Sequence, residues 1–328
     1  MSIQKSKFSN REIVFTCVTV FLIVCRFASL FFLKDVFYDE ECILTHISSV
    51  IQQGTDSSGN KWPLYAVVGD GYVTYPFLYP MALFRVILGE GSIVYKSRFI
   101  LQILTIFSCW LTAKGVHLWT EDTESFWYTF LVALALPWGF VQANRIWDPA
   151  FVPLYFSIVF YSACKFFKQN LIAKSKSACE FFLFGGLVIL AADYPPCRIP
   201  AVAIWIYLFV RAIQLHKFEK TDIIFVFVLS TILALPLAYY LFFVPEFNSR
   251  SSSLLVFQGG NPIKEIFTFL KNFFDLLSPT YLFITGDLVN RHSLPFFGML
   301  GMVNLIAFAA LFRKKYDRMD CFLLYTIF

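Results

Sequence analysis

Long apolar runs alternate with short polar breaks over most of the chain, and the runs predict helices of membrane-spanning length. They lie at Ile13–Leu33, Phe99–Trp119, Phe126–Gln142, Phe151–Phe167, Phe181–Ala192, Ile199–Ile213, Ile223–Val244 and Leu294–Phe312, with the start of a ninth at Cys321–Phe328. About twenty apolar residues cross a bilayer as a helix. The fifth and sixth runs are shorter and flank Tyr194-Pro195-Pro196-Cys197-Arg198. The chain stops inside the ninth run, which reads as a fragment or truncated product.

Two long polar-rich stretches, 34–98 and 245–293, interrupt the pattern and carry helices of their own. From Asp39, the residues Ile43, Leu44, Ile47, Val50 and Ile51 recur at helical spacing, and Gly54 follows as a stop. This predicts a short helix lying on the membrane surface. A second begins at Asn261-Pro262, a cap followed by a first-turn proline. Its apolar face (Ile263, Ile266, Phe267, Leu270, Phe273, Phe274 and Leu277) and polar face predict an interfacial amphipathic helix. Gly54 to Gly59 and Val68 to Gly71 are turn-rich.

Composition agrees with the runs. The chain is 58% hydrophobic and 15% charged, against about 25% charged in soluble domains. The fold class expected is all-α: a polytopic transmembrane helical protein with a large outer first loop carrying membrane-surface helices. The net charge of +5 is spread through short loops with no basic stripe, so it does not indicate a nucleic-acid partner. It indicates orientation. Lys5, Lys7 and Arg11, then Lys165 to Lys176, Arg211 to Lys220 and Arg313 to Arg318 fall on one side of alternating spans, the cytoplasmic side. The 34–98 and 245–293 loops and most acids then lie outside. The eight cysteines are scattered, with no CxxC pair. The first run is too long for a cleavable signal and lacks a small-residue cleavage site.

The candidate chemistry lies on that outer side. Asp39, Glu40 and Glu41 follow the first span directly, and a carboxylate beside low-dielectric surroundings is suited to taking a proton. The plainer reading is a solvated helix start. Asp148 sits in the tight turn Arg145-Ile146-Trp147-Asp148-Pro149, where the plainer reading is a cap for the fourth span. Arg26 lies in the outer half of span one and either snorkels or meets an anion. Arg198, Arg291 and His292 are further outer cations, and an arginine fork suits phosphate oxygens. Glu41, Cys42 and His46 do not share a helical face, so they make a poor metal set. No GxxxxGK[ST], HExxH or GxSxG occurs.

Taken in order, these residues resemble a family. Arg26, Asp39-Glu40, Gly54-Thr55-Asp56 with Gly59 and Trp62-Pro63, Tyr79-Pro80, and Gly89 through Arg98 look like the first outer loop of GT-C membrane glycosyltransferases. The nearest relatives by this likeness are the bacterial lipid A aminoarabinose transferases and the protein O-mannosyltransferases. Arg145 to Asp148 resembles the family's second acidic turn, Tyr194 to Pro200 its tyrosine-arginine-proline turn, and Gly286-Asp287 with Arg291-His292 its later outer motif. The likeness spans most of a single domain over 1–328; such enzymes usually continue with more spans.

The resemblance implies sugar transfer, with inversion, from a polyprenyl-phosphate donor to a lipid, glycan or protein acceptor at the outer membrane face. The setting would be a bacterial inner membrane facing the periplasm, with no catalytic metal or cofactor. Asp39 would be the base, with Glu40 as neighbour or substitute, and Asp148 would position the acceptor or Asp39. Arg26, Lys61, Arg198, Arg291 and His292 would hold the departing phosphate, and Tyr194 and Asp287 would line the pocket. The competing readings are a transporter or flippase of lipid-linked sugars, a noncatalytic membrane scaffold, and a metal-dependent oligosaccharyl transferase.

Overall fold

The computed structural model describes residues 10–32, 35–69, 71–89, 91–168, 174–248, 260–286 and 299. The fold is nearly all-α. Helix α1 (Asn10–Phe32) is followed by α2 (Tyr38–Gln53), a hairpin of β1 (Tyr65–Val68) and β2 (Gly71–Thr74), and α3 (Tyr75–Leu88). Then come α4 (Ile93–Thr120), α5 (Thr123–Ala135), α6 (Pro137–Ala143), α7 (Val152–Lys168), α8 (Lys174–Ala191), α9 (Arg198–Gln214), α10 (Lys220–Phe243) and α11 (Pro262–Leu276). Short 3-10 turns at Asp148–Phe151 and Pro195–Cys197 lead into α7 and α9.

Among the described residues, five helical segments are long and apolar enough to cross a membrane: Arg11–Phe32, Ile93–Thr120, Asp148–Lys168, Pro195–Gln214 and Lys220–Phe243. Two expected spans fall short of that length. The third is broken at Leu136-Pro137 into α5 and α6, because proline has no N–H to donate and pushes the preceding residue out of helical geometry. The fifth is α8, whose apolar part covers only Ala178–Ala191. The expected spans Leu294–Phe312 and Cys321–Phe328 lie outside the described residues.

The first loop is more built than expected. α2 does end at Gly54, which adopts the left-handed conformation (φ 66°) and returns its N–H to Val50 O. Its apolar face is not laid on a membrane, however. Ile43, Leu44, Ile47 and Val50 are buried with Ala66 and Val73 of the hairpin, Phe77, Leu78 and Met81 of α3, Leu101 of α4, and Ile146 and Phe151. Buried apolar area stabilises at about 25 cal/mol per Å², so this face stays with the protein. The hairpin itself pairs Tyr65 with Thr74 and Val68 with Gly71, with its turn starting at Gly69 (φ 57°).

α3 was not anticipated, because Pro80 lies in its interior. That proline cannot donate to the carbonyl four residues back. The Tyr155 hydroxyl donates to this carbonyl, Pro76 O, at 2.6 Å. A side chain from α7 thus supplies the missing bond.

A second core packs α7, α8, α9 and α10 through Phe166, Phe181, Phe184 and Val226. A third joins α4 and α5 through Cys109, Ala113, Phe130 and Leu134, with Leu22 and Ile23 of α1 packed against it. At the α4–α5 end of the molecule, Arg11 meets Glu124 at 2.8 Å and Lys168 meets Glu121 at 2.6 Å. The hairpin and the 3-10 turns gather at the other end.

Candidate functional site

Two acids from different turns grip the open end of the hairpin. Tyr65 and Thr74 are cross-strand partners. The Tyr65 hydroxyl donates to Asp193 Oδ1 at 2.5 Å. The Thr74 N–H donates to Asp148 Oδ2 at 3.1 Å. Asp148 therefore does not cap its own helix, as its place before Pro149 suggested; it reaches across to the start of α3. Its other oxygen, Oδ1, is buried and accepts no hydrogen bond among the described residues.

The surroundings of this pair are aromatic. Tyr65 lies 4.3 Å from Tyr240, 4.8 Å from Phe247 and 6.0 Å from Tyr75, ring centre to ring centre. Arg198, at the start of α9, places its guanidinium 5.2 Å from the Phe247 ring. Its Nε is buried and makes no hydrogen bond among the described residues. Arg198, Tyr65 and Asp193 act on one another electrostatically, and Asp148 feels Asp193.

Burial pushes the Asp193 carboxyl up from its ordinary value to about 6, while the Tyr65 hydrogen bond and Arg198 restrain the rise. Burial and the Asp193 charge raise the Tyr65 phenol, so it remains a donor. Tyr75 is raised for the same reasons. The result is two carboxylates, one guanidinium and a wall of tyrosines, with one acceptor atom and one donor atom uncommitted. That set can bind hydroxyl-bearing or anionic groups and can exchange a proton near neutral pH.

Glu40 belongs to a neighbouring centre and is fully occupied. Oε1 accepts from Arg98 Nη2 at 3.0 Å, from Arg98 Nε at 3.3 Å and from Ile146 N at 2.9 Å. Oε2 accepts from Arg98 Nη2 at 2.9 Å and from Phe37 N at 3.1 Å. Arg145 approaches the same oxygen at 3.7 Å and stacks over the Phe37 ring at 3.8 Å. Both Glu40 and Arg98 are nearly inaccessible. A carboxylate so saturated is a poor base, and the expectation of Glu40 as a substitute for Asp39 gives way to a structural role. It ties the 35–40 turn, which carries Asp39, to the 145–148 turn, which carries Asp148. Asp39 itself is half-buried in the first turn of α2.

The other expected residues are dispersed. Arg26 is wholly buried inside the bundle. It donates Nε and Nη2 to Leu134 O at 3.0 and 2.8 Å, and its guanidinium lies 4.3 Å from the Phe140 ring. It neither snorkels nor reaches the Asp148–Asp193 pair, so the expected phosphate contact gives way to a cap on α5. Lys61 is exposed on the 54–62 loop, which Asp56 organises by accepting from Ser58 N and Asn60 N at 2.9 Å. His46 has both ring nitrogens engaged, with Ser57 N donating to Nδ1 and Nε2 donating to Val67 O at 2.7 Å. Tyr194 opens the 3-10 turn, and its carbonyl accepts from Cys197 N. Asp287, Arg291 and His292 lie outside the described residues.

Sequence reasoning missed Asp193 and Tyr65, and it gave Arg98 no role beyond closing the Gly89–Arg98 stretch. Asp193 sits immediately before the Tyr194-Pro195-Pro196 turn, and an acid at a span end beside two prolines and an arginine was the available signal. Tyr65 carried no signal, since sixteen tyrosines compete for attention. Among the described residues, no three His, Cys, Asp or Glu side chains converge as a metal-binding group. Comparison with protein-family models, with curated proteins and with solved structures finds no match to this chain.

Proposed function

We propose that this chain is a multi-pass membrane glycosyltransferase. It moves a sugar from a polyprenyl-phosphate donor to a hydroxyl or phosphate of a lipid, glycan or protein acceptor, with inversion, at the membrane face that holds the hairpin. The observation that supports the reading is the convergence of Asp148, Asp193 and Arg198 beside the hairpin, with Asp148 and Arg198 each at the start of a membrane-length helical segment. Acids and a cation meet beside an apolar layer, where a lipid tail can lie while its phosphate and sugar reach the polar end.

In this reading Asp39 deprotonates the acceptor, and Asp148 binds and orients it through Oδ1. Arg198 stabilises the leaving lipid phosphate as charge develops on it. The bond from the anomeric carbon to the donor phosphate breaks, the bond to the acceptor oxygen forms, and the acceptor proton passes to Asp39.

The test is donor consumption by the purified full-length protein in nanodiscs, with radiolabelled polyprenyl-phosphate sugars and an envelope lipid extract as acceptor. Wild type should consume donor and release polyprenyl phosphate, and Asp148→Asn should not. Movement of donor across the bilayer without consumption would transfer the assignment to a flippase.

A further inference from the structure

The sequence pattern predicts two membrane-surface helices, and the structure treats them differently. α2 buries its apolar face against the hairpin and α3. Among the described residues, α11 has no buried side chain. Ile263 is 67% exposed, Phe267 69% and Phe274 64%. The main neighbour of α11 is the following turn, Thr280–Thr285. The helix is well started: Asn261 Oδ1 accepts from Ile263 N at 3.0 Å and from Lys264 N at 3.4 Å, and Pro262 fills the first turn. Capping alone does not hold it. Helices of about 12–15 residues are marginal in water without a packed face, and α11 has 15 residues.

Placed around the helix at about 3.6 residues per turn, the side chains fall into two unbroken arcs. Ile266, Leu270, Phe273 and Leu277 run down the middle of the apolar arc. Ile263, Phe267 and Phe274 widen it on one flank, and Phe269 and Leu276 on the other. It takes up about half of the circumference, whereas a helix facing a protein core typically needs a stripe of about 100°. The polar arc is centred on Thr268 and Asp275. Lys264 and Lys271 stand at its border, beside Phe267 and Phe274. From there their apolar stems follow the face while the ammonium groups turn away from it.

We propose that α11 lies in the plane of a lipid bilayer surface, with this face in the acyl region and its lysines at the headgroups. A single partner helix would cover the middle row and leave Phe267 and Phe274 on one side, and Phe269 on the other, in water. A flat apolar layer covers the middle and both flanks together. Such a layer is at hand, because Phe21 of α1, Val202 of α9 and Phe227 of α10 are exposed within membrane-length segments. Lys264 and Lys271 are matched in number by Glu265 and Asp275. The driving force is therefore burial of apolar surface and not attraction to anionic lipid. The inference rests on the multi-pass membrane part of the proposed function and not on sugar transfer.

Photo-crosslinking of the full chain in phosphatidylcholine proteoliposomes tests this, because it identifies what covers the face. Benzoylphenylalanine replaces Phe267 or Phe274 on the apolar arc, Thr268 on the polar arc, or Phe21 as a reference within α1, one position at a time. All four positions are exposed, so the bundle packing is left intact. Mass spectrometry then reads the adducts. Lipid adducts are expected from Phe267, Phe274 and Phe21, and they should be lost at Thr268. Lipid adducts from Phe21 but not from Phe267 and Phe274 overturn the placement of α11 alone; cross-links to a second copy or to another segment of the chain would then name the occupant. Equal lipid labelling from Thr268 also overturns it, because a helix surrounded by lipid does not lie at the surface. Loss of lipid adducts at every position, Phe21 included, overturns the multi-pass reading together with it.

Discussion

Arg26 and Pro137 form one joint across two helices. Pro137 has no N–H for the carbonyl of Ala133 and breaks the helix that would have served Leu134. Arg26, from α1, donates to Leu134 O at 2.8 and 3.0 Å and approaches Ala133 O at 3.5 Å. The charge sits where the backbone dipoles of α5 end negative, which is the favourable end for a cation.

Replacing Arg26 by Leu should therefore destabilise the protein by about 1.5–3 kcal/mol, the range for a hydrogen bond to a charged group. Pro137→Ala should recover part of that loss, because the backbone regains a donor. Thermal unfolding in detergent of the two single variants and the double variant gives the coupling. Strict additivity would show that the two residues do not share a joint.

Glu40→Gln should act on folding rather than on chemistry. Removing one partner of a buried ion pair typically costs about 3–5 kcal/mol, and Arg98 would be left with no carboxylate at 2.9 Å. Folded yield should fall sharply, while turnover per folded molecule stays near wild type. A well-folded Glu40→Gln protein with no turnover would return Glu40 to the reaction.

On the glycosyltransferase reading, Asp39→Asn and Asp148→Asn should fold normally and lose turnover. A lost general base costs typically about 100- to 10,000-fold in rate. Donor affinity should stay close to wild type in Asp39→Asn and weaken in Arg198→Gln, which lacks the charge. Turnover at the wild-type rate in the Asp39→Asn and Asp148→Asn double variant would remove both from the site.

Asp193 sets the expected pH dependence. Its folded value of about 6 lies above its ordinary 3.8 because burial disfavours the charge. Protonated Asp193 is therefore the better-tolerated form. Its contribution to stability is full below the ordinary value and is lost as pH rises through about 6. Between these limits the melting temperature should rise as pH falls, and Asp193→Asn should flatten that slope. A slope unchanged in Asp193→Asn would assign the titration to another group.

On the glycosyltransferase reading, in which Arg198 balances the leaving charge, donor consumption should also survive strong chelation. Loss of activity in EDTA with rescue by a divalent ion would favour an oligosaccharyl-transferase type of chemistry.

Much of the scaffold was legible in the sequence. Runs of apolar residues located the long helices, and Gly54 and Asn261 marked a stop and a start that the structure reproduces. The misreadings share one physical cause. At Pro80, Pro137 and Glu40 the local sequence leaves a backbone or charged group unsatisfied, and the partner comes from a distant helix: Tyr155, Arg26 and Arg98. Local pattern cannot find such partners. The site divides in the same way. Asp148 and Arg198 stood out because each lies in a short proline-bearing turn between apolar runs, whereas Asp193 and Tyr65 acquire meaning only through the bond between them.

The Tyr155 bond to Pro76 also bears on how this chain can be rearranged. The 34–98 segment looks like an insert between two spans, but its core is completed by Leu101, Ile146 and Phe151, and one of its helices is closed by a hydroxyl from α7. Expressed alone it would lack those walls. A chimera that exchanges this segment would have to carry the 145–155 turn with it. The segment and that turn form one inheritable unit, although more than forty residues of helix separate them along the chain.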